Sequence, residues 1–558
     1  MKFCTPLFLV IIKRKLILFF SLFLFFTVHA QEKLIYHNIR TDDKGVIVPW
    51  YDNDPGKSYD HVINLVWNFW DTMRMDINGL PYYMNHQVWT PGFDDPRGLG
   101  GDQLQMALSS WQLLYAYTGN ERVNQNMKFI ADYYLTHSLS PANCKWPNLP
   151  FPYNTLIYSG IYDGDMIIGQ GYLQPDKAGS LGLELIHLYK MSCKDFFMQS
   201  TSKRYLEAAI NIAHSLIAHL QAGDYNRSPL PFKVNVFTGE IGKLKNNNSD
   251  GTIVGEANYC TNWCGTMELF LALRQLDARH ADVYNKSFHI LLDWMKTYPL
   301  RNNRWGPFFE DVQGWSDTQI NAITFARFMM EYKAYFPGWK QQVPAIFDWV
   351  YKILGNESWR KYGVTVVNEQ SAYYSPGQSH TSREAATELL YCSLSNDTTR
   401  KANAIRQLSW ATYTVDSDGE NRYPKDEVWM TDGYGDYVRH YLRAMAAYPE
   451  LAPSFEDHIL SSSSVIQRAD YKDQINKFLV TTIKVEDISR LRVFYKTYDS
   501  SGTETIRMTQ KPSIVLLDGK PLNEDQQANT QGYQWNPLTA GGVLLIHRLR
   551  GTEITILE

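Results

Sequence analysis

The chain is short of cysteine. Six occur in 558 residues, and Cys4 falls in the opening stretch, leaving Cys144, Cys193, Cys260, Cys264 and Cys392. An odd set without regular spacing does not make a disulfide scaffold. Cys260 and Cys264 stand four apart with no second ligand pair, so they read as small buried side chains and no metal site is expected. Neither sign of charge is in large excess. The net charge is −4, or about −8 with the basic residues of the first thirty set aside. That gives no basis for binding nucleic acid or an anionic membrane surface. The apolar run Leu16 to Val28 is shorter than the roughly 20 residues a spanning helix needs. Glycine-rich phosphate loops, Gly-x-Ser-x-Gly elbows and low-complexity tails are absent, and no cofactor is implied.

The same apolar run follows Lys13-Arg14-Lys15 and ends at Val28-His29-Ala30, a small-residue cleavage pattern before Gln31. Residues 1–30 are therefore expected to be a signal peptide, and the mature chain to be exported to a periplasm or the extracellular space, with no membrane contact once the leader is removed. Residues 31–58 read as an extended lead-in.

What the chain has in quantity is helical periodicity. Apolar-rich segments recur at about 102–118, 123–137, 177–193, 203–221, 258–276, 282–297, 317–335, 340–354, 381–395, 398–415 and 432–447, with a lone segment at 59–74 before them. Leu181–Met191, Met267–Leu276 and Ile320–Met330 are apolar on nearly every face, as helices covered on both sides are. Their partners are one-sided. In 203–221, Leu206, Ile210, Ala213, Ile217 and Leu220 are set against Lys203, Arg204, Glu207, Asn211 and His214. The first helix of each pair is thus inner and the second outer. Pairing 59–74 with 432–447 across the chain ends gives six of each and closes a ring. The expected fold is an (α/α)6 toroid over 59–455. After Ser461–Ser464, read as part of a linker, the period changes. Phe478–Val485, Leu491–Tyr498, Ile514–Leu517, Val543–His547 and Glu553–Leu557 read as strands, and Asp518-Gly519 as a tight turn. Residues 467–558 are expected to form a small antiparallel β-sandwich.

Connections within pairs are short, such as Gly119-Asn120 and Asn396-Asp397. Connections between pairs are long and rich in aromatics, glycine and proline. Long loops inside a compact domain are usually functional. In a closed ring they all fall on one face, at the N-terminal ends of the inner helices. With these pairs, this asymmetry and these aromatic loops, residues 59–450 resemble the six-hairpin glycosidase superfamily. The resemblance implies an enzyme acting on a poly- or oligosaccharide. A glycoside hydrolase comes first, with a lyase on a uronate-containing glycan, a sugar epimerase and a noncatalytic glycan-binding protein as the other readings. The Trp-x-Arg-Gly-x-Gly-Trp stretch of unsaturated glucuronyl hydrolases is absent.

Glycosidic cleavage needs a carboxylic acid and, for hydrolysis, usually a second carboxylate. Asp102, after Gly100-Gly101, Asp317 and Asp432 stand at or beside the starts of inner segments, where each could equally cap its helix. Thr381 to Glu384 and Ser316 to Gln319 read as capping boxes. Glu384 and the preceding His380 are further catalytic candidates. A lyase would draw on Asn258-Tyr259, on His380 with Arg383, and on Arg97. Asp163-Gly164-Asp165 reads as a turn that could reach the axis. Trp89, Arg97, Trp146, Trp263, Trp315, Tyr374 and Trp429 all fall on the long-loop face, as candidates for holding a glycan.

Overall fold

The computed structural model describes residues 32–75, 79–84, 101–155, 160–165, 167–194, 199–245, 253–309, 314–422, 424, 434–472, 489–525 and 530–558. The expected leader, Trp89, Arg97, Trp429, Asp432 and the expected strand Phe478–Val485 lie outside them, as does the side chain of Asp102. Among the described residues no helix is long and apolar enough to cross a membrane.

Twelve long helices carry the first part of the described chain. They are α1 (Pro55–Asp71), α2 (Gly101–Thr118), α3 (Glu121–His137), α4 (Pro175–Ser192), α5 (Gln199–His219), α6 (Cys264–Leu276), α7 (Ala281–Thr297), α8 (Gln319–Glu331), α9 (Trp339–Leu354), α10 (Gln378–Ser395), α11 (Lys401–Thr412) and α12 (Tyr434–Ala447). Local chemistry sets several ends. Pro55 starts α1, and the Asp54 carboxylate accepts from Gly56 N at 2.9 Å. Gly119, at φ +65°, turns the chain out of α2, and Asn120 caps α3 by accepting from Arg122 N at 3.0 Å.

The even-numbered helices form the inner ring, and each packs on the next: α2 on α4, α4 on α6, α6 on α8, α8 on α10, α10 on α12, and α12 back on α2. Gly179 of α4 lets α6 come close, because a Cβ there would stand 2.0 Å from Thr266 Oγ1. The odd-numbered helices form the outer ring. The chain ends meet as expected: Tyr59 of α1 and Tyr441 of α12 have ring centroids 5.1 Å apart, and Ser110 Oγ of α2 donates to Gly435 O at 2.8 Å. The core follows the sequence pattern with one shift. In α5 the fully buried stripe is Tyr205, Ala209, Ile212, Ala213 and Leu216, with Leu206, Ile210 and Ile217 half-buried beside it. The stripe is turned toward a neighbouring register because the large Tyr205 ring points inward, its hydroxyl donating to Asp132 at 3.0 Å.

The second part is two antiparallel sheets. Their strands are β1 (His458–Ser462), β2 (Ile466–Tyr471), β3 (Leu491–Thr497), β4 (Gly502–Met508), β5 (Ile514–Leu517), β6 (Lys520–Pro521), β7 (Gly532–Pro537), β8 (Gly542–Arg548) and β9 (Glu553–Leu557). One sheet has the order β1-β4-β8-β7, the other β2-β3-β9-β5-β6. The first strand begins at His458, so Ser461 and Ser462 are strand residues and not linker. Asp518 and Gly519 both take positive φ, +47° and +74°, as a two-residue hairpin turn requires. Val493, Tyr495, Ile506, Leu544, Ile546, Ile554 and Ile556 fill the space between the sheets. A buried bidentate pair, Arg548 with Glu504 at 2.7 and 2.9 Å, joins the neighbouring strands β8 and β4. This sandwich sits on the C-terminal ends of the inner helices: Tyr471 OH donates to Ala116 O at 2.6 Å, and Gln467 Nε2 to Lys190 O at 2.6 Å. The N-terminal ends, with the long loops, form the opposite face.

Candidate active site

Three inner-helix starts present buried polar side chains on the long-loop face. Pro175 opens α4 and sets Asp176 and Lys177 in its first turn, both almost fully buried. Asp176 Oδ2 accepts from Asn262 Nδ2 at 2.8 Å, and Lys177 Nζ stands 3.7 Å away. The ammonium also lies over the Phe308 ring, 2.9 Å from its centre. Burial pushes the Asp176 carboxyl up, and Lys177 and Asn262 offset only part of that.

Helix α10 starts at Gln378, earlier than the sequence suggests, so the Thr381 to Glu384 capping box does not form. Thr381 Oγ1 instead accepts from Val367 N of the buried strand Val366–Gln370, which runs beneath the loops. His380 is 2% exposed. Gly377 makes room for it, because a Cβ there would stand 2.2 Å from His380 Nδ1. Burial and then the charge of Arg383 push the imidazole down to about 3, against the pull of Asp436, so it is neutral at physiological pH. Phe309 lies beside it, ring centres 6.1 Å apart. Adjacent rings of one loop therefore touch Lys177 on α4 and His380 on α10.

Asp436 of α12 is the hub. Its Oδ2 takes the guanidinium of Arg383, and Arg439 Nη2 and His440 Nε2 lie at 3.5 and 3.4 Å. Burial works to raise the Asp436 carboxyl, but Arg383, His440 and Arg439 outweigh it and hold the group well below the usual carboxylate range. Arg383 Nη1 also donates to Gln319 Oε1 at 3.3 Å, and Gln319 Nε2 donates to Glu384 Oε2 at 2.9 Å. Burial and the charge of Glu388 push Glu384 well up. Arg383 and Glu384 thus share one hydrogen-bonded network with Gln319 and Asp436, and His380 lies within reach of the Arg383 and Asp436 charges.

Asp317 is engaged elsewhere. Its Oδ1 accepts from Trp305 N and Gly306 N at 2.7 and 2.9 Å, and its Oδ2 from Trp315 Nε1 at 2.9 Å. The cap of α8 is Thr318, accepting from Asn321 N, so the Ser316 to Gln319 box is also not formed; Ser316 Oγ donates to Gln370 Oε1 at 2.9 Å. Among the expected glycan platforms, Trp146 and Trp263 are core residues. Trp146 stacks on His219 with centroids 3.8 Å apart, and Trp263 Nε1 donates to Cys260 O at 2.6 Å. Trp315 is 43% exposed beside Arg304, whose guanidinium is 4.0 Å from the ring centre. Tyr374 is exposed, with its hydroxyl donating to Ile353 O at the end of α9. Tyr259 is held by its own hydrogen bond to Arg304 O at 2.8 Å. Asp163 accepts from Thr155 and Gln170, and Asp165 from Ile167 N and Ile168 N while pairing with Lys233 at 3.1 Å, so both brace a turn.

Asp176, Lys177, Asp436 and His440 are buried at this face, and the sequence pattern assigns a role to none of them. The signal was the rarity of charge in inner helices: Glu184, Glu268 and Arg327 each interrupt an apolar segment, and a charge tolerated there has a partner or a task. Away from this face, His214, Asp277 and His280 hold donor atoms within 4.8 Å of one another. They are joined through hydrogen bonds to each other and to Tyr284.

The chain matches no family model and no curated protein sequence. Its fold is matched by solved structures. A cellobiose 2-epimerase from Spirochaeta thermophila is 13% identical, over 70% of this chain and 96% of that one, with a TM-score of 0.50. A sugar epimerase from a ruminal bacterium is 12% identical, over 70% and 98%, with a TM-score of 0.51. A cellobiose 2-epimerase from Bacillus thermoamylovorans is 13% identical, over 70% and 98%, with a TM-score of 0.50. These likenesses show the fold: the helical part of the chain is a six-hairpin (α/α)6 toroid.

Proposed function

We propose that the chain is a carbohydrate-active enzyme working by proton transfer at the long-loop face, with the neutral imidazole of His380 accepting a proton from a bound sugar and the Asp176 carboxyl returning one. The observation that carries this reading is the pairing of a neutral histidine with a raised carboxyl on facing inner-helix starts, with Phe309 beside His380 and Phe308 under Lys177, the neighbour of Asp176. Environments that shift titratable groups this far from their ordinary values mark candidates for acid and base roles. Asp436 faces the imidazolium that forms, and its charge favours that form.

Removal of a carbon-bound sugar proton, as in a lyase or an epimerase, suits this set better than direct hydrolysis. Hydrolysis needs an ionised carboxylate free to activate water or attack. Asp317 is spent on three donors, Asp436 on Arg383, and Asp176 is pushed toward its protonated form. Hydrolysis is the second reading. Asp176 favours it as the acid, and Asp102 or Asp432 would be the carboxylate. Trp315 is the platform proposed for the glycan, with Trp89, Arg97 and Trp429 as further candidates. An exported protein with residues 1–30 removed accords with this reading.

A panel of neutral and acidic glycans read three ways tests it. Ultraviolet absorbance reports an unsaturated uronate, reducing-end release without absorbance reports hydrolysis, and deuterium uptake from solvent without cleavage reports epimerisation. His380→Gln and Asp176→Asn should each lose on the order of 10²-fold or more in rate with the fold retained. Full activity in both variants sinks the assignment.

A further inference from the structure

A cavity of about 130 Å³ lies on the ring axis below the long-loop face. Met106, Phe308 and Ile320, which cluster together, line it on the side of the candidate active site. Four arginines, one on α8, one on α10 and two on α12, line the rest: Arg327, Arg383, Arg439 and Arg443, with Glu184 and Glu268 opposite. Most of these charges are matched. Arg383 pairs with Asp436, Arg327 Nη2 with Glu331 at 2.7 Å, and Arg439 Nη1 donates to Ser109 Oγ at 2.5 Å. Glu184 lies 3.0 Å from His187 Nδ1. Arg443 differs. Among the described residues its guanidinium forms no hydrogen bond and no ion pair, while Arg327 and Arg439 stand near enough for their charges to disfavour its own.

A half-buried guanidinium without a hydrogen-bond partner is unfavourable, and like charges beside it make it more so. Glu331 and Glu268 are the nearby carboxyls whose charge offsets this, and Glu331 is already paired with Arg327. Burial and the charge of Glu331 push Glu268 up to about 7, so near neutrality it supplies only part of a negative charge. Arg443, Glu268 and Leu183 also line a second, larger cavity of about 810 Å³ in the seam between the inner-helix C-termini and the sandwich. That cavity carries Lys190, Arg274 and the hydroxyl-rich stretch Ser461–Ser464. Arg443 therefore stands at the neck between an axial chamber and a basic, polar vestibule.

We propose that this neck is a small-anion site, at which a halide or an oxyanion of phosphate size enters from the sandwich side and is held by Arg443 with Arg327 and Arg439. The site lies below the sugar chemistry proposed at the long-loop face and shares Arg439 with Asp436, and its occupant would neutralise charge toward the junction of toroid and sandwich. Its occupant would shield three guanidinium groups from one another, as a counterion does for any cluster of like charge.

Crystals of the full chain soaked in sodium bromide test the proposal directly. An anomalous peak is expected within hydrogen-bonding distance of the Arg443 guanidinium; its absence there, with bromide bound elsewhere, overturns the proposal. Calorimetric titration with inorganic phosphate is expected to show one saturable site, weakened roughly ten-fold or more in Arg443→Met. Equal saturable binding by that variant also overturns the proposal. Should Arg443→Met fail to fold, the bromide map of the unaltered protein decides alone. Neither readout depends on knowing the sugar.

Discussion

Replacing Arg383 by Met tests the electrostatics of the site. The side chains of Arg383 and Asp436 are 4% and 3% exposed. Removing one partner of a buried pair costs about 3–5 kcal/mol, mainly because the other charge is stranded. Here Arg439 remains 3.5 Å from Asp436 Oδ2, which at the effective dielectric of a protein retains part of the attraction. The expected loss is therefore near the lower end, about 3 kcal/mol, read by urea denaturation of the toroid. Adding Asp436→Asn removes the stranded charge, so the double variant should be more stable than the sum of the singles by about 1–3 kcal/mol. A functional signature accompanies this. The charge of Arg383 is the second cause of the lowered His380 value, so its loss lets that value rise, and the acidic limb of the pH–rate profile moves toward neutrality. A loss below about 1 kcal/mol together with strict additivity and an unmoved limb would refute the reasoning.

Gly377→Ala should reduce activity on the order of 10²-fold with a folded toroid, because the new Cβ would stand 2.2 Å from His380 Nδ1 and displace the ring; wild-type turnover in a folded variant excludes this role for the glycine. Trp315→Ala should raise KM more than it lowers kcat, since the ring is 43% exposed, whereas Trp263→Ala, fully buried, should cost about 3–5 kcal/mol by thermal or denaturant melt. His458, stacked on Tyr117 with centroids 3.9 Å apart, is lowered by burial to about 4 from 6.5. The unfolded chain therefore takes up this proton first, and stability falls as pH drops from 6.5 toward 4, by up to about 3 kcal/mol. His458→Gln should flatten that part of the stability curve, and an unchanged slope in melts across this window contradicts it. Arg548→Met should destabilise the sandwich by about 3–5 kcal/mol, because it strands Glu504, itself fully buried; a sandwich melting as before would show the pair to be dispensable.

The sequence by itself determined the toroid, because helical periodicity and loop length are local properties. One-sided and all-apolar segments alternate, so inner and outer helices can be told apart before any contact is known. The strands Ile514–Leu517 and Glu553–Leu557 and the Asp518-Gly519 turn were legible for the same reason. Helix starts were less so, since Thr381 with Glu384 and Ser316 with Gln319 satisfy the capping pattern without adopting it. Tertiary contacts claimed those side chains first: Val367 N took Thr381, Gln370 took Ser316, and Gln319 turned inward to Glu384. Only the tertiary structure decided which aromatic loop residues are core, as with Trp146 on His219, and that Asp317 braces three donors. It alone joined Asp176 to Asn262, and Arg383 to Asp436, across 86 and 53 residues of chain. Such pairs leave no periodic trace, because each draws single residues from distant elements and takes its meaning from where the ring axis falls. That Arg443 forms no hydrogen bond or ion pair among the described residues is visible only when every neighbouring charge has been assigned its partner.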